Sequence, residues 1–364
     1  MGKNLKEIAA LFFKLGCVAF GGPASHIAMM EDEVVEKRKW ISRQHFLDLI
    51  GVTNLIPGPN STEMTMHCGY ERGGWRGLFI AGGLFILPAV CITLLFAFLY
   101  VEYGQLPAVE PFIQGIKPAV IAIILSASYK LGKKAIKTTT LAILMLLIIV
   151  AALFGFHEIL LIFISGLLGL IIYTATHSKS LKSVVPFFLL NIGGLKVFLT
   201  FLKVGAILYG SGYVLFAYLD AELVATGMLS RSELVDAIAV GQMTPGPVLS
   251  TATFIGYQLA GFKGAILATL GIFIPSFIFV GLLNPLVHKV RKYPLLGAFL
   301  DAVNAAAVGV IIAVCLEMGK EVLTDWRPIV ILCISLFAVF GNKKINSAFI
   351  VIGGALLGYV LSLI

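Results

Sequence analysis

Residues 41–59 read ISRQHFLDLIGVTNLIPGP, and residues 229–247 read LSRSELVDAIAVGQMTPGP. The two stretches share a Ser-Arg pair near the head, an aspartate five residues after the arginine, and a closing Pro-Gly-Pro. Proline and glycine both interrupt helices, yet each Pro-Gly-Pro lies among apolar residues. Breaks that recur at matched positions of an apolar chain predict a duplicated membrane fold with discontinuous or re-entrant helices.

The composition assigns the chain to the all-α polytopic integral membrane proteins. Apolar residues make up 59% of the chain and charged residues only 13%. No long polar segment is left for a soluble domain, and a net charge of +8 fits an excess of basic residues in cytoplasmic loops rather than nucleic-acid binding. Uncharged runs long enough to cross a bilayer cover residues 78–101, 138–156, 159–176, 265–287 and 345–364.

Further matched segments extend the duplication to the whole chain. LFFKLGCVAFGG at 11–22 corresponds to TFLKVGAILYGS at 200–211, and GGWRGLFIAGGLFILP at 73–88 corresponds to AGFKGAILATLGIFIP at 260–275. We therefore expect two homologous transmembrane repeats joined by a short connection. The predicted boundaries are a first repeat over 1–177, a linker or additional crossing over 178–195, and a second repeat over 196–364.

The charges of equivalent loops predict that the two repeats are inverted in the membrane. Residues 102–110 contain two glutamates and no basic residue, whereas their counterpart at 288–294 contains three lysines and arginines. The sign reverses in the next pair, because residues 130–137 carry four lysines and residues 317–327 carry mixed charges. Cytoplasmic loops are rich in lysine and arginine, so equivalent loops lie on opposite sides, as in inverted-topology repeats. The inversion requires a crossing near the linker, which leaves the number of spans open.

The Pro-Gly-Pro segments predict an anion-binding site. A helix that starts there presents unpaired N–H groups and about half a positive charge, and Asn60 with Glu63 has the spacing of a capping box. Lys14 and Lys203 recur in front of the glycine break of each half and would add charge. The alternatives are that the prolines only shape the bundle and that the lysines snorkel. The predicted binding residues are Lys14, Gly21, Gly22, Pro57, Gly58, Pro59, Asn60, Ser61, Lys203, Pro245, Gly246, Pro247 and Thr251.

Differences between the halves indicate where a coupling proton binds. Glu63 aligns with Thr251, and His26 aligns with Leu215. A carboxyl group beside an anion site can bind a proton with the substrate and lose it afterwards, so Glu63 is the first candidate for proton coupling. The alternative is that Glu63 only caps its helix. His26 is the second candidate, because imidazole exchanges protons near neutral pH.

Charged residues recur at the head of both Pro-Gly-Pro segments. Arg43 and Asp48 correspond to Arg231 and Asp236. These four residues are candidates for a gate or an anion entry point. The spacing slightly favours the structural alternative, in which these residues cap the start of the helix before each Pro-Gly-Pro and form salt bridges there.

The sequence predicts neither a cofactor nor a catalytic or metal site. The five cysteines have no CxxC spacing and the six histidines are scattered singly, which argues against a disulfide framework and a metal centre. No nucleophile with an acid–base partner has credible spacing, and no phosphate-binding P-loop is present. A membrane-embedded enzyme and an ATP-driven pump are therefore disfavoured.

The motifs FGGP at 20–23, PGP at 57–59 and WRG at 75–77, followed by a degenerate second copy, resemble the chromate ion transporter family in its fused two-half form. The resemblance implies a multi-pass secondary transporter of the bacterial inner membrane that exports chromate, driven by the proton motive force or by exchange with sulfate. The second copy has YGSG at 209–212 and FKG at 262–264. Roles in that half therefore carry over only to Pro-Gly-Pro and Lys203. Sulfate uptake and an uncoupled anion channel stay open as alternatives, as do a monomer and a homodimer.

Overall fold

A computed structural model of the chain describes residues 3–20, 23–53, 56–104, 106–177, 196–208, 214–284, 294–341 and 345–364. Within these ranges the ordered elements are helices and no strand is present, which confirms the predicted all-α class. The predicted linker at 178–195 lies outside the described residues.

The two halves have the same order of helices. The first half contains α1 (Lys3–Val18), α2 (Pro23–Glu31), α3 (Arg43–Thr53), α4 (Asn60–Tyr103), α5 (Glu110–Ala135), α6 (Thr139–Leu153) and α7 (Glu158–His177). The second contains α8 (Lys196–Ile207), α9 (Val214–Leu219), α10 (Arg231–Met243), α11 (Thr251–Leu283), α12 (Pro294–Val322), α13 (Trp326–Gly341) and α14 (Ser347–Ser362). A π-helical turn follows both α2 and α9, at Asp32–Lys37 and Asp220–Val224.

Apolar helices of membrane-spanning length are present in both halves. Among the described residues, four helical segments are long and apolar enough to cross a bilayer, namely Asn60–Tyr103, Glu110–Ala135, Val248–Leu283 and Gly297–Val322. Helices α6, α7, α13 and α14 are shorter but equally apolar. Over the residues that the structure describes, each of the five uncharged runs predicted as spans lies mainly on one helix. Helices α5, α12 and α13 were not predicted as spans, because charges or prolines interrupt them or shorten their apolar runs.

Each of the two longest helices reverses direction at a glycine. Gly74 in α4 and Gly261 in α11 have φ angles of 60° and 59°, a left-handed conformation that glycine adopts without steric cost. We name the segments α4a (60–73), α4b (75–103), α11a (251–259) and α11b (262–283). A Cβ on Gly77 would overlap the carbonyl oxygen of Gly69, so α4a folds back onto α4b. Thr253 and Thr269 of the second pair of segments hydrogen-bond at 2.8 Å in the same way.

The Pro-Gly-Pro segments form the tips of two re-entrant hairpins. In hairpin 1, made of α3 and α4a, His45 near the start of α3 lies 3.2 Å from Glu71 near the end of α4a. The two helices are therefore antiparallel, and residues 57–59 are the tip. In hairpin 2, made of α10 and α11a, a Cβ on Gly241 would overlap the Thr251 hydroxyl, which places residues 245–247 at the corresponding tip.

Equivalent spanning helices run antiparallel, which confirms the predicted inverted topology. Trp75 at the start of α4b packs against Gly281 near the end of α11b, where a Cβ would come within 2.5 Å of the indole ring. Its counterpart Phe262 at the start of α11b lines a groove together with Leu95 and Phe98 near the end of α4b. The start of each helix thus lies beside the end of the other, as a pseudo-two-fold axis in the membrane plane requires.

The halves also exchange their last two helices. Helices α6 and α7 pack on α12 of the second half, and α13 and α14 pack on α5 of the first. Small residues permit close approach at these crossings: a Cβ on Gly115 would overlap the backbone of Gly354, and one on Gly169 would lie 2.5 Å from the Cβ of Ala302. The two repeats therefore form one interlocked bundle.

Candidate functional site

The tips of the two hairpins hydrogen-bond across the halves. The Gly58 N–H donates to the carbonyl of Leu208 at the end of α8, at 2.5 Å, and the Gly246 N–H donates to the carbonyl of Ala19 at the end of α1, at 2.8 Å. An unpaired backbone group in hydrocarbon costs several kcal/mol. The N–H group of each tip glycine therefore provides a hydrogen-bond donor for a carbonyl group at a helix end of the other half. Each Pro-Gly-Pro segment is thus bonded to the interrupted first segment of the other half.

Both tip glycines adopt positive φ angles, 137° at Gly58 and 94° at Gly246. A Cβ on Gly246 would lie 3.0 Å from Ala89, which is at the middle of α4b. A Cβ on Gly58 would lie 2.5 Å from the hydroxyl oxygen of Ser276 in α11b. The tips therefore reach the middle of the spanning helices, at the depth where transporters bind their substrates.

Glu63 lies buried against the first tip. Its side chain is fully enclosed, and its carboxyl group occupies the space that a Cβ on Gly58 would need. The Ser276 hydroxyl lies on the same side of Gly58, but neither carboxyl oxygen of Glu63 has a hydrogen-bond partner of good geometry. A buried ionised carboxylate without a cation or a donor is very costly. This enclosed position therefore suits the protonated acid.

Hydroxyl groups surround the second tip. Thr93 of α4b donates to Ser250 at 3.1 Å and lies 3.4 Å from the hydroxyl of Thr244, and all three side chains are buried. A hydroxyl both donates and accepts hydrogen bonds, so this cluster can bind the oxygens of an anion without adding charge.

The helix starts differ from the predicted geometry in one respect. Helix α4 begins at Asn60, directly after Pro-Gly-Pro, but its cap residue is Pro59 and no side chain caps it. The predicted capping box between Asn60 and Glu63 is therefore wrong. Its physical reason is that Pro59 occupies the cap position and its carbonyl accepts from the first helical turn. In hairpin 2 a short 3₁₀ turn, Val248–Ser250, precedes the first residue of α11.

The two predicted lysines are each paired with a carboxylate. Lys14 lies 3.6 Å from Glu33, and Lys203 lies 2.6 Å from Glu222. Neither glutamate was predicted as a partner of its lysine, although Glu33 and Glu222 recur at equivalent positions of the two repeats. The lysine side chains are 63% and 43% exposed. Their contact with an anion stays a prediction. Gly21 and Gly22 lie outside the described residues.

The recurrent arginines form equivalent ion pairs. Arg43 lies 3.1 Å from Glu31, and Arg231 binds both oxygens of Asp220 at 3.0 and 3.1 Å. Arg231 also lies 3.6 Å from Glu317 and 3.3 Å from Glu321 of α12. Both arginines thus connect the head of a re-entrant hairpin to the π-helical region before it. A role in gating stays a prediction.

The recurrent aspartates have different surroundings. Asp48 accepts a hydrogen bond from Gln44 within α3 at 3.1 Å. Asp236 is buried, accepts a hydrogen bond from Tyr100 at 2.7 Å and lies 3.7 Å from the ammonium group of Lys117. The first half therefore supplies the partners of a buried carboxylate in the second half.

His26 lies at the border of the second tip. It is 2% exposed, its ring packs edge-on against Phe85 at 5.7 Å, and it neighbours Ala19, whose carbonyl accepts the hydrogen bond from Gly246. Among the residues that the structure describes, no group of three or more histidines, cysteines, aspartates or glutamates could hold a metal ion.

Comparison with known proteins gives a consistent result over both halves. The family model described as "Chromate transporter" matches residues 6–170 and 195–359. The chain is 29% identical to the chromate transport protein of Cupriavidus metallidurans, over 98% of this chain and 93% of that protein. It is also 29% identical to the probable chromate transport protein of Synechococcus elongatus, over 98% of this chain and 95% of that protein. The uncharacterized transporter YwrB of Bacillus subtilis is 31% identical over 36% of this chain. No solved structure matches the chain.

Proposed function

The chain belongs to the chromate transporter family, and we propose that it exports chromate across the bacterial inner membrane as a secondary transporter that carries a proton together with the anion. The observation that carries the proposal is that each Pro-Gly-Pro tip reaches the middle of a spanning helix of the opposite half and is hydrogen-bonded to that half. Broken helices that meet at the midplane of an inverted repeat are the usual construction of a transporter binding site.

The proposed substrate site lies between the two tips. Chromate is a tetrahedral dianion, and the N-terminal ends of α4 and α11 direct their partial positive charge toward it. Hydroxyls of Thr93, Ser250 and Ser276 are candidate donors to its oxygens. Lys14 and Lys203 would contribute on the approach to the site if the anion displaces Glu33 and Glu222 from their ammonium groups.

The charges at the outer ends of the two hairpins indicate how the chain is oriented in the membrane. Basic residues crowd the outer end of hairpin 1, namely Lys37, Arg38, Arg43, Arg72 and Arg76. Acidic residues predominate at the outer end of hairpin 2, namely Asp220, Glu222, Glu233, Glu317 and Glu321. The positive-inside rule places hairpin 1 on the cytoplasmic side. Export then carries chromate from the outer end of hairpin 1 to the outer end of hairpin 2.

Glu63 is the proposed proton carrier. Its carboxyl group lies against Gly58, beside the proposed anion site and without a cation of its own. Bringing a dianion next to an ionised carboxylate is unfavourable, so substrate binding and protonation of Glu63 favour each other. Release of the anion then permits release of the proton.

Inside-out vesicles test the proposal directly. An interior-positive membrane potential should drive chromate accumulation, because chromate carried with one proton is still an anion, and chromate entry should carry protons inward. Glu63→Gln should abolish this proton entry, whereas Glu102→Gln, at the exposed far end of the same helix, should not abolish it. Chromate flux without proton entry would indicate a channel. Proton-linked flux of sulfate but not of chromate would indicate a sulfate permease.

A further inference from the structure

Hairpin 1 carries a row of titratable side chains that extends beyond Glu63. Glu63, His67 and Glu71 are spaced four residues apart on α4a, so they lie on one face, with about 5–6 Å between successive Cβ atoms. The row begins at the buried tip and ends at the outer end of the hairpin. His45 of α3 closes the row, 3.2 Å from Glu71.

The middle member of the row is held as a base. His67 is fully buried, and its Nδ1 lies 2.5 Å from the side-chain oxygen of Asn284. An amide oxygen only accepts hydrogen bonds, so Nδ1 carries the hydrogen and Nε2 keeps a free lone pair. Nε2 is buried and has no partner. A buried imidazole nitrogen without a partner can bind a proton from the carboxyl group one helical turn away.

The outer members of the row reach the surface. The side chains of Glu71 and His45 are 29% and 24% exposed. The charged groups that act on the His67 imidazole are Glu71 and His45, and both belong to the row. A proton that reaches Glu71 therefore has an exit to the basic end of hairpin 1.

Hairpin 2 has no such row. In the register set by the glycine contacts of the two reversals, Gly69 with Gly77 and Gly256 with Gly264, His67 and Glu71 correspond to Phe254 and Gln258. Glu63 is replaced by a serine or a threonine, at 250 or 251, and Asn284 by Ala97. Glu63, His67 and Glu71 thus belong to the first repeat and Asn284 to the second, and none of the four has a counterpart of the same chemistry in the other repeat, although both repeats have the same backbone.

We propose that His67, Glu71 and His45 form the proton pathway between Glu63 and the cytoplasmic surface. The protonated carboxyl of Glu63 gives its proton to Nε2 of His67, leaving a carboxylate and an imidazolium whose Nδ1–H is bonded to Asn284. The imidazolium returns a proton from Nε2 to the carboxylate of Glu71, and Glu71 passes it to His45 or to water. His67 and Glu71 end in their starting states, Glu63 is left ionised, and one proton has reached the surface; the same steps in reverse protonate Glu63 from the cytoplasm before chromate is exported. Rotation of a side chain or one water molecule spans each helical turn.

The pathway rests on the proposed proton coupling, and one preparation tests the two separately. The protein is reconstituted into liposomes that contain a pH-sensitive dye. Chromate accumulation and proton movement are measured under a pH gradient, and exchange of labelled for unlabelled chromate is measured without one. Exchange needs no net proton transfer. His67→Gln retains a donor for Asn284 but cannot relay a proton.

We expect His67→Gln to lower gradient-driven accumulation and chromate-linked proton movement by about 100-fold, while exchange stays within about twofold of the wild type. If His67→Gln also lowers exchange because it misfolds, Glu71→Gln, at a half-exposed position, serves as the second test. It should lower accumulation and proton movement and leave exchange within about twofold of the wild type. Gln258→Ala, the match of Glu71 in hairpin 2, should change neither readout. Coupled transport at the wild-type rate in both His67→Gln and Glu71→Gln would overturn the pathway. A wild-type protein that moves chromate without protons would overturn the coupling itself.

Discussion

The buried ion pair between Lys117 and Asp236 offers a sharp test of how the halves are joined. Lys117 belongs to α5 of the first repeat, and Asp236 belongs to α10 of hairpin 2. Their side chains are 8% and 5% exposed, and their charged atoms lie 3.7 Å apart. Lys117 also donates to Ser232 at 2.6 Å, and Tyr100 donates to Asp236 at 2.7 Å. Both charges therefore have partners only as long as the helices keep this arrangement.

The two members of the pair are expected to depend strongly on one another. Lys117→Met leaves an uncompensated buried carboxylate, which should cost about 3–5 kcal/mol of unfolding free energy. Lys117→Met combined with Asp236→Asn removes both charges and keeps an acceptor for Tyr100, so the double variant should lie within about 1 kcal/mol of the wild type. Lys203→Met breaks a pair whose lysine is 43% exposed and should cost about 0–1 kcal/mol.

Reversible unfolding of the purified protein in mixed detergent micelles measures these differences. The wild type, the two single variants, the double variant and Lys203→Met are compared at one detergent composition. If the cost of the double variant equals the sum of the two single costs, the residues do not interact and the reasoning fails. A cost of Lys117→Met no larger than that of Lys203→Met would likewise contradict the assigned burial.

Two further predictions concern the first tip and the basic end of hairpin 1. Gly58→Ala forces a residue with a Cβ into a positive φ angle, which costs about 1–2 kcal/mol, and the new Cβ overlaps the Glu63 carboxyl group. Chromate transport in vesicles should therefore fail. Gly246→Ala should have a milder effect, because the nearest contact of its Cβ is at 3.0 Å. Burial raises the pKa of Glu33, but the hydrogen bonds and charges of Arg38 and Lys37 hold it below its usual 4.5. The stability that Glu33 contributes is therefore present above about pH 4.5 and lost as the pH falls through its folded-state pKa. Thermal stability should drop on acidification from pH 6 to pH 3 more in the wild type than in Glu33→Gln.

The sequence was sufficient for the inverted architecture because its evidence is local. Repeated motifs and the sign of loop charges are visible residue by residue, and the antiparallel course of α4b and α11b agrees with them. The reversals at Gly74 and Gly261 were not foreseen, since a glycine in front of an apolar run also fits a continuous helix. The exchange of α6 and α7 with α13 and α14 was not foreseen either. The composition of an apolar helix is compatible with packing on its own half and on the other half. Only the tertiary contacts show which half it packs on.

The candidate site was predictable in its backbone and less so in its partners. The two Pro-Gly-Pro tips could be predicted because they are duplicated. Glu63 could be predicted because the second repeat has Thr251 at that position. Ser276, whose hydroxyl lies beside Gly58, comes from a helix of the other half and has no signal near Pro-Gly-Pro. The pairing of Lys117 with Asp236 is similar, because the residues are far apart in sequence and only the crossing of α5 and α10 brings them together. The carboxylates that pair with the two lysines could have been predicted from the sequence, because Glu33 and Glu222 recur at the same distance from Lys14 and Lys203.

The contacts at the first tip link the proposed proton to the relative position of the halves. The carboxyl of Glu63 packs against Gly58, and the N–H of Gly58 is the group that donates to Leu208 in the second half. A change of charge on Glu63 therefore acts on a residue that itself forms a bond between the repeats. At the second tip the matching bond, from Gly246 to Ala19, has the small side chain of Ala89, uncharged hydroxyls and the imidazole of His26 beside it. A carboxyl group thus acts on one bond and an imidazole on the other, so the two tips respond differently to protonation. A proton can then favour one arrangement of the halves over the other, which a symmetric pair of tips would not allow.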